Sequence, residues 1–135
     1  MKVFLDANTL FSGAHSDSRM RAFLKVLSRH ADCVTNAYAV EEARRNLELK
    51  YPASLAGLDD ILRRCPLVSA LAVDLSVELV AKDRPILSGA IAGQATHLLT
   101  GDQTDFGHLF GKTVQGVKVV SPRMLADELV KLGWL

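Results

Sequence analysis

The sequence has few cysteines and no long apolar run, and each absence excludes a class of protein. Cys33 and Cys65 are its two cysteines, and neither belongs to a CxxC pair or a cysteine–histidine cluster with zinc spacing. We therefore expect buried free thiols in a reducing compartment rather than a disulfide. No stretch approaches the roughly 20 apolar residues of a membrane helix, and Asp6 interrupts the opening run too early for a secretory signal. These features predict a cytoplasmic protein.

Charge excess is also absent, so the partner has to be inferred from a site. The formal net charge of +1 neither indicates nor excludes nucleic acid binding. Hydrophobic residues make up 49% and charged residues 23%, which is typical of a globular protein. The 135 residues contain no internal repeat, low-complexity tract or Pro/Gly/Ser linker, which predicts one domain over 1–135.

Short apolar strands alternate with amphipathic helices along the chain. The run KVFL suits a strand buried on both faces, Asn36 and Ser54 are candidate helix caps, and Pro85 stands at a favoured early helix position. The alternation predicts a three-layer α/β/α fold with a central, mainly parallel sheet of about five strands. The predicted strands are 2–5, 32–35, 67–73, 96–100 and 117–120, and the predicted helices are 17–30, 36–50, 54–65, 76–81, 83–95 and 121–133.

Acidic residues follow these strands at one edge of the predicted sheet. Asp6 comes directly after the first strand, and Asp102 follows the fourth. Asp83 begins the helix that feeds the fourth strand, while Glu41 and Glu42 lie in the first turns of the helix after the second strand. Because ligands bind beyond the carboxyl ends of parallel strands, we expect these acids to converge there.

Convergence of these carboxylates predicts a metal site. Each acid alone could be a turn former, a helix-terminal charge or a solvated side chain. Packed together, they repel and raise one another's pKa unless a cation compensates. Ligands that are all oxygen suit Mg²⁺ or Mn²⁺, and two such ions can activate a water molecule and stabilise the leaving oxygen of a phosphodiester. The residues therefore indicate metal-dependent phosphodiester hydrolysis.

In order and spacing, four segments resemble the PIN domain (PilT N-terminal-like) family over nearly the whole chain. They are VFLDANTLFSG (3–13), VTNAYAVEEARRNL (34–47), DRPILSGAIAGQATHLLTGDQTDF (83–106) and VKVVSPRMLADEL (117–129). The resemblance implies a four-acid Mg²⁺ or Mn²⁺ centre, with one or two ions, that cuts RNA. It is strongest to small prokaryotic PIN proteins that are often toxins of toxin–antitoxin pairs, which implies an antitoxin partner and a homodimer.

The resemblance also assigns individual residues of the site. Asp6 matches the first acid of the family, Asp83 the third and Asp102 the fourth, and Asp105 matches an additional acid seen in many members. The implied metal ligands are these four aspartates.

The second acid is either Glu41 or Glu42, which are adjacent. Glu42 is preferred because Ala43 and Leu47 then fall where the family has apolar residues after its glutamate. The implied catalytic set is therefore Asp6, Glu42, Asp83 and Asp102.

Asn8 and Thr100 match polar positions near the metals of the family. Asn8 would orient Asp6, and Thr100 would bind a carboxylate or a water. The protein is predicted to be a ribonuclease or, alternatively, a catalytically weak or inactive PIN-fold module with an RNA-binding or regulatory role. A phosphatase with an aspartyl nucleophile is disfavoured because Asn8 stands where its second acid belongs.

Histidines and basic residues are predicted to play structural or solvated roles. His97 lies inside a predicted strand, whereas His15 and His108 lie in predicted loops near the acidic edge, where contact with substrate is the alternative to a structural role. Charged helical faces are usually solvated, so the basic residues are not assigned to the site; they are Arg44, Arg45, Arg63, Arg64, Lys82 and Arg84.

Overall fold

The computed structural model describes residues 1–69 and 71–135, which contain a five-stranded sheet in the order β2-β1-β3-β5-β4. Strands β1, β2, β3 and β5 are parallel to one another, and the two-residue edge strand β4 is antiparallel to β5. The strands are β1 (Lys2–Leu5), β2 (Asp32–Val34), β3 (His97–Leu99), β4 (Thr113–Val114) and β5 (Val117–Val120).

Helices cover both faces of this sheet. Consecutive side chains of β1 and β3 are buried, which requires packing above and below the sheet. The helices of the described residues are α1 (Ala7–Ala14), α2 (Arg19–His30), α3 (Ala37–Lys50), α4 (Leu55–Leu62), α5 (Arg84–Ala92), α6 (Gln103–Phe106) and α7 (Pro122–Lys131). The predicted α/β/α fold with a mainly parallel sheet is confirmed. None of these helices is long and apolar enough to cross a membrane.

Side-chain caps explain several helix starts. The Asn36 carboxamide oxygen accepts from the backbone N–H of Ala39 at 3.0 Å, so its predicted role as the cap of α3 is confirmed. The predicted Ser54 cap is wrong, because that side chain makes no capping bond to α4. Ser54 instead ends a 3₁₀ turn (Pro52–Ser54), and its hydroxyl pairs with Nδ1 of His15 at 2.8 Å.

The predicted strand 67–73 and the predicted helix 76–81 are both wrong. Leu67 forms a single parallel bridge to Thr35, and no strand continues through the described residues after it; Ala70 lies outside them. The neighbouring edge is too short to pair further, since α3 begins at Ala37. Residues 76–80 are irregular, and a 3₁₀ turn (Ala81–Asp83) leads into α5. The fifth strand is the unpredicted β4.

Helix α1 is also absent from the predicted elements, although it carries part of the candidate site. Asp6 caps it, accepting from the backbone N–H of Ala7 at 2.6 Å. The helix lies against α2, α3 and α4. Polar residues and Gly13 within its sequence resemble a loop after the strand, which explains why periodicity does not predict the helix.

The two cysteines are free and buried in the structure, as the sequence predicts. Burial raises the pKa of the Cys33 thiol to about 11 and that of Cys65 to about 12, so both remain protonated near neutral pH.

A glycine contact sets how closely α4 approaches the end of α1. A Cβ atom at Gly57 would overlap the backbone carbonyl of Ala14 and lie 2.6 Å from Nη2 of Arg21. The Arg21 guanidinium fills the same corner and donates from Nε to the carbonyl of Gly13 at 2.6 Å. Since the obstructing atoms are mainly backbone, the overlap cannot be relieved by a change of rotamer.

Gly57→Ala is therefore expected to destabilise the protein by about 1–3 kcal/mol, the usual cost of overpacking. Gly107→Ala is the matched control, because nothing lies within 4 Å of its added methyl group. Urea denaturation of both variants measures the difference. Equal stability of the two variants would contradict the close α1–α4 contact.

Candidate metal centre

Asp6 is a buried carboxylate held by three side-chain or backbone donors. It is 3% exposed, and its Oδ1 accepts from the backbone N–H of Ala7. Its Oδ2 accepts from the Thr100 hydroxyl at 2.7 Å and from Nδ2 of Asn8 at 3.2 Å. The carboxylate is thereby fixed at the end of β1, beside the end of β3.

Asn8 and Thr100 connect the two strand ends and orient the loop that carries Asp102. The Asn8 carboxamide oxygen accepts from the backbone N–H of Gly101 at 2.9 Å. The Thr100 oxygen accepts from the backbone N–H of Asp102 at 3.1 Å while it donates to Asp6. Both residues lie beside Asp6, where the sequence predicts a supporting role for them.

Asp83, Asp102 and Asp105 form the tightest acid group among the described residues. Each offers one carboxylate oxygen, and these oxygens lie within 4.8 Å of one another. Asp102 caps α6 by accepting from the backbone N–H of Asp105 at 3.0 Å. Nζ of Lys82 lies 3.2 Å from Asp105, which brings one cation to the edge of the group.

Asp6 and Glu42 stand outside that group but share a cleft of about 270 Å³ with two of its members, Asp83 and Asp102. Glu42 faces this cleft from α3, whereas Glu41 is exposed and does not line it. The geometry therefore favours Glu42 over Glu41 as the second acid of the site. The cleft is lined by Asp6, Ala7, Asn8, Phe11, Glu42, Asn46, Lys50, Lys82, Asp83 and Asp102.

The sequence does not assign five of these residues to the site: Ala7, Phe11, Asn46, Lys50 and Lys82. Asn46 and Lys50 follow Glu42 at intervals of four residues, so one face of α3 presents all three side chains to the cleft. That spacing was a usable signal once Glu42 had been chosen. Phe11 lies on the helix that periodicity missed, and Lys82 was interpreted as solvated.

Burial and mutual repulsion make this cluster electrostatically costly. Burial, with smaller contributions from Glu42 and Asp102, raises the pKa of Asp6 from 3.8 to about 6. Burial and the nearby Asp105 raise the pKa of Asp83 to about 7. In contrast, the pKa of Asp105 is held below its ordinary value by its interaction with the neighbouring Asp83 and by the Lys82 ammonium group.

The donor set fits a hard divalent cation. Oδ2 of Asp83 is buried and has no hydrogen-bond partner among the described residues, a costly state for a carboxylate oxygen. One carboxylate oxygen of Asp83 lies within 4.8 Å of an oxygen of Asp102 and of one of Asp105, and no cysteine or histidine of the described residues joins the group. Oxygen ligands of this kind suit Mg²⁺ or Mn²⁺ rather than zinc.

The histidines lie outside the lining of this cleft. His97 is buried, and its Nε2 lies 3.1 Å from Oε1 of Glu128, a contact that joins β3 to α7. Nε2 of His108 pairs with the backbone carbonyl of Glu78 at 3.1 Å. These contacts are consistent with the structural role predicted for His97.

The sheet order, the helices on both faces and the acids at one edge define a PIN-like fold. The chain is similar to a crystal structure of VapBC2 from Rickettsia felis bound to a DNA fragment from their promoter, with a TM-score of 0.65 and 15% sequence identity. The match covers 90% of this chain and 98% of that chain. The sequence matches no protein-family model and no curated protein. The PIN resemblance is thus confirmed at the level of the fold.

The raised pKa values predict that the metal-free protein loses stability as pH rises. A carboxyl group whose pKa is raised by folding binds its proton more tightly in the folded chain, so its ionisation favours unfolding. For Asp6 the full loss, completed above its pKa of about 6, is on the order of 3 kcal/mol. Asp83, with a pKa of about 7, extends the loss to higher pH.

We expect the Tm in EDTA to fall between roughly pH 5 and roughly pH 8, as measured by differential scanning calorimetry. Mn²⁺ binds ionised carboxylates, so it should raise the Tm more at the higher pH. Asp6→Asn is the control and should remove the Asp6 part of the slope. A Tm in EDTA that rises steadily over this range would contradict the electrostatic picture.

Proposed function

We propose that this protein is a metal-dependent endoribonuclease that hydrolyses RNA phosphodiester bonds. Asp6, Glu42, Asp83 and Asp102 form its catalytic set, and Asp105 is an additional metal ligand. The observation that carries the proposal is the buried, unpartnered Oδ2 of Asp83, a residue that lines one cleft together with Asp6, Glu42 and Asp102. A structural role would not require an unpartnered oxygen on a carboxylate that belongs to a group of three.

Asp6, Asp83, Asp102 and Asp105 would hold one or two Mg²⁺ or Mn²⁺ ions. The chemistry that such an ion supplies is activation of a water molecule and stabilisation of charge on the leaving oxygen. Asn8 and Thr100 hold Asp6 in one orientation, so its carboxylate needs no rearrangement to bind a cation. Glu42 faces the same cleft, where its carboxylate can accept a proton from the attacking water. No residue of the protein acts as a nucleophile.

Two adjoining clefts favour a polynucleotide over a small phosphate ester. Asn8 and Asp102 also line a second cleft of about 390 Å³, whose other walls include Ser12, Met20 and Pro122. Asp102 therefore lies where the two clefts meet, and a strand crossing this point would continue on both sides. An isolated nucleotide would fill only one of them. RNA is proposed as the polynucleotide because the sequence segments around the acids resemble those of PIN domains.

We further propose that the protein is the toxin of a toxin–antitoxin pair and forms a homodimer. The similar VapBC2 structure is a toxin–antitoxin complex, which supports an antitoxin as the partner of this chain. Such an antitoxin would be expected to suppress the ribonuclease activity.

The direct test is cleavage of a panel of RNAs with Mg²⁺ or Mn²⁺. Asp6→Asn, Glu42→Gln and Asp102→Asn should each reduce the cleavage rate by more than about 100-fold, because each removes a charge that the reaction requires. Glu41→Gln is the matched control, since its side chain lies on the same helix but outside the cleft. EDTA should abolish cleavage by the wild type.

Equal cleavage by wild type, Asp6→Asn and Asp102→Asn would refute the site assignment. The alternative of an inactive RNA-binding module makes a different prediction. In that case calorimetry would detect no Mn²⁺ binding while RNA affinity remained high.

A further inference from the structure

Three aromatic rings form a cluster beside the metal-binding cleft. The ring centroids of Phe11 and His15 are 5.4 Å apart, those of Phe11 and Tyr51 5.9 Å, and those of His15 and Tyr51 4.9 Å. The planes of Phe11 and His15 make angles of 63° and 82° with the Tyr51 ring, so neither lies parallel to it. The proposed cleavage reaction assigns no role to this cluster.

The cluster borders the cleft at the end of α3. Phe11 lines the cleft and contacts Tyr51, and Lys50, the residue before Tyr51, lines the cleft as well. Glu42 and Lys50 are eight residues apart on one helix face, which is about 12 Å along the axis. They would therefore contact different groups of a bound strand.

Tyr51 is exposed yet held in a fixed position. The residue is 52% exposed. Its backbone N–H donates to the carbonyl of Leu47 at 2.7 Å, and its backbone carbonyl accepts from the N–H of Ser54 at 2.9 Å. The Ser54 hydroxyl pairs with His15, so the partner ring is fixed too. A large aromatic surface open to solvent on a rigid frame is the form that stacking platforms take.

We propose that Tyr51 stacks on a base of single-stranded RNA next to the phosphate bound at the acids, and that Lys50 contacts a phosphate of the same strand. A nucleotide combines a planar base with an anionic phosphate, which matches an exposed aromatic ring beside an ammonium group. The proposal rests on the proposed function, because it places the scissile phosphate at the carboxylates. It makes Tyr51 and Lys50 substrate-positioning residues.

The experiment measures binding of labelled single-stranded RNA by fluorescence anisotropy, with Mn²⁺ present and Asp102→Asn as the background that suppresses cleavage. Tyr51→Ala should weaken binding at least about fivefold, the lower end of the range for one stacked base, whereas Tyr51→Phe should retain it. Tyr38→Ala is the control, since Tyr38 is 39% exposed on the first turn of α3 and does not line the cleft. For Lys50→Gln, the slope of the logarithm of the RNA-binding constant against the logarithm of the salt concentration should become shallower by about one.

A series of RNAs with one abasic site separates stacking from a structural effect. At the RNA position that stacks on Tyr51, removal of the base should lower the affinity of the protein that has Tyr51. The same removal should leave the affinity of Tyr51→Ala unchanged, because the ring is already absent. The proposal would be overturned if the effects of base removal and of Tyr51→Ala on RNA affinity were additive at every position. It would also be overturned if Tyr51→Ala bound RNA as tightly as the protein that has Tyr51. If Tyr51→Ala does not fold, Tyr51→Leu with the abasic series gives the same decision, because leucine keeps an apolar side chain but lacks the aromatic face.

This outcome is distinguishable from failure of the proposed function. Binding that depends on Tyr51, without cleavage in Mg²⁺ or Mn²⁺, would support the stacking site and refute the ribonuclease. Cleavage with unchanged binding and unchanged KM in Tyr51→Ala would support the ribonuclease and overturn the stacking site.

Discussion

The hydrogen bond from the Thr100 hydroxyl to Oδ2 of Asp6 is the contact on which the arrangement of the acids depends. It spans 2.7 Å between the ends of the two central strands, where Leu5 pairs with Leu99 in parallel register. The same threonine oxygen accepts from the backbone N–H of Asp102, so one side chain relates the first acid to the fourth. Since a shift of register by one residue would turn these side chains to the opposite face, the sheet pairing determines which carboxylates meet.

Repulsion among the carboxylates is the cost of this arrangement. Burial raises the pKa of Asp6 to about 6, and burial together with Asp105 raises that of Asp83 to about 7. Lys82 compensates from one side only, and it is largely exposed. Ionisable groups with strongly shifted pKa values that cluster in a cleft are typical of functional sites, because selection for stability alone would not retain them. The surrounding core, with buried side chains on both faces of β1 and β3, tolerates this local cost.

Much of the fold follows from local pattern, and the failures have a common cause. Strands β1 and β5 begin and end where the apolar runs do, and the Asn36 cap lies where its residue type predicts. The run 67–73 is equally apolar, yet Leu67 finds only one partner residue because the adjacent strand ends there. A strand requires a free edge as well as a suitable sequence, and periodicity carries no information about edges. Helix α1 was missed for a related reason: its start depends on Asp6, which is at once a helix cap and a member of the site.

The sequence by itself determined the fold class and the identity of the candidate acids, because strand and helix periods and the residue types after each strand are local properties. The tertiary structure alone decided which acids share a cleft, that Glu42 rather than Glu41 faces it, and that Phe11, Asn46, Lys50 and Lys82 complete its walls. Adjacent glutamates are nearly equivalent in sequence, but they point in directions about 100° apart around a helix of 3.6 residues per turn. Only the packing of α3 against α1, α4 and α5 selects between those directions.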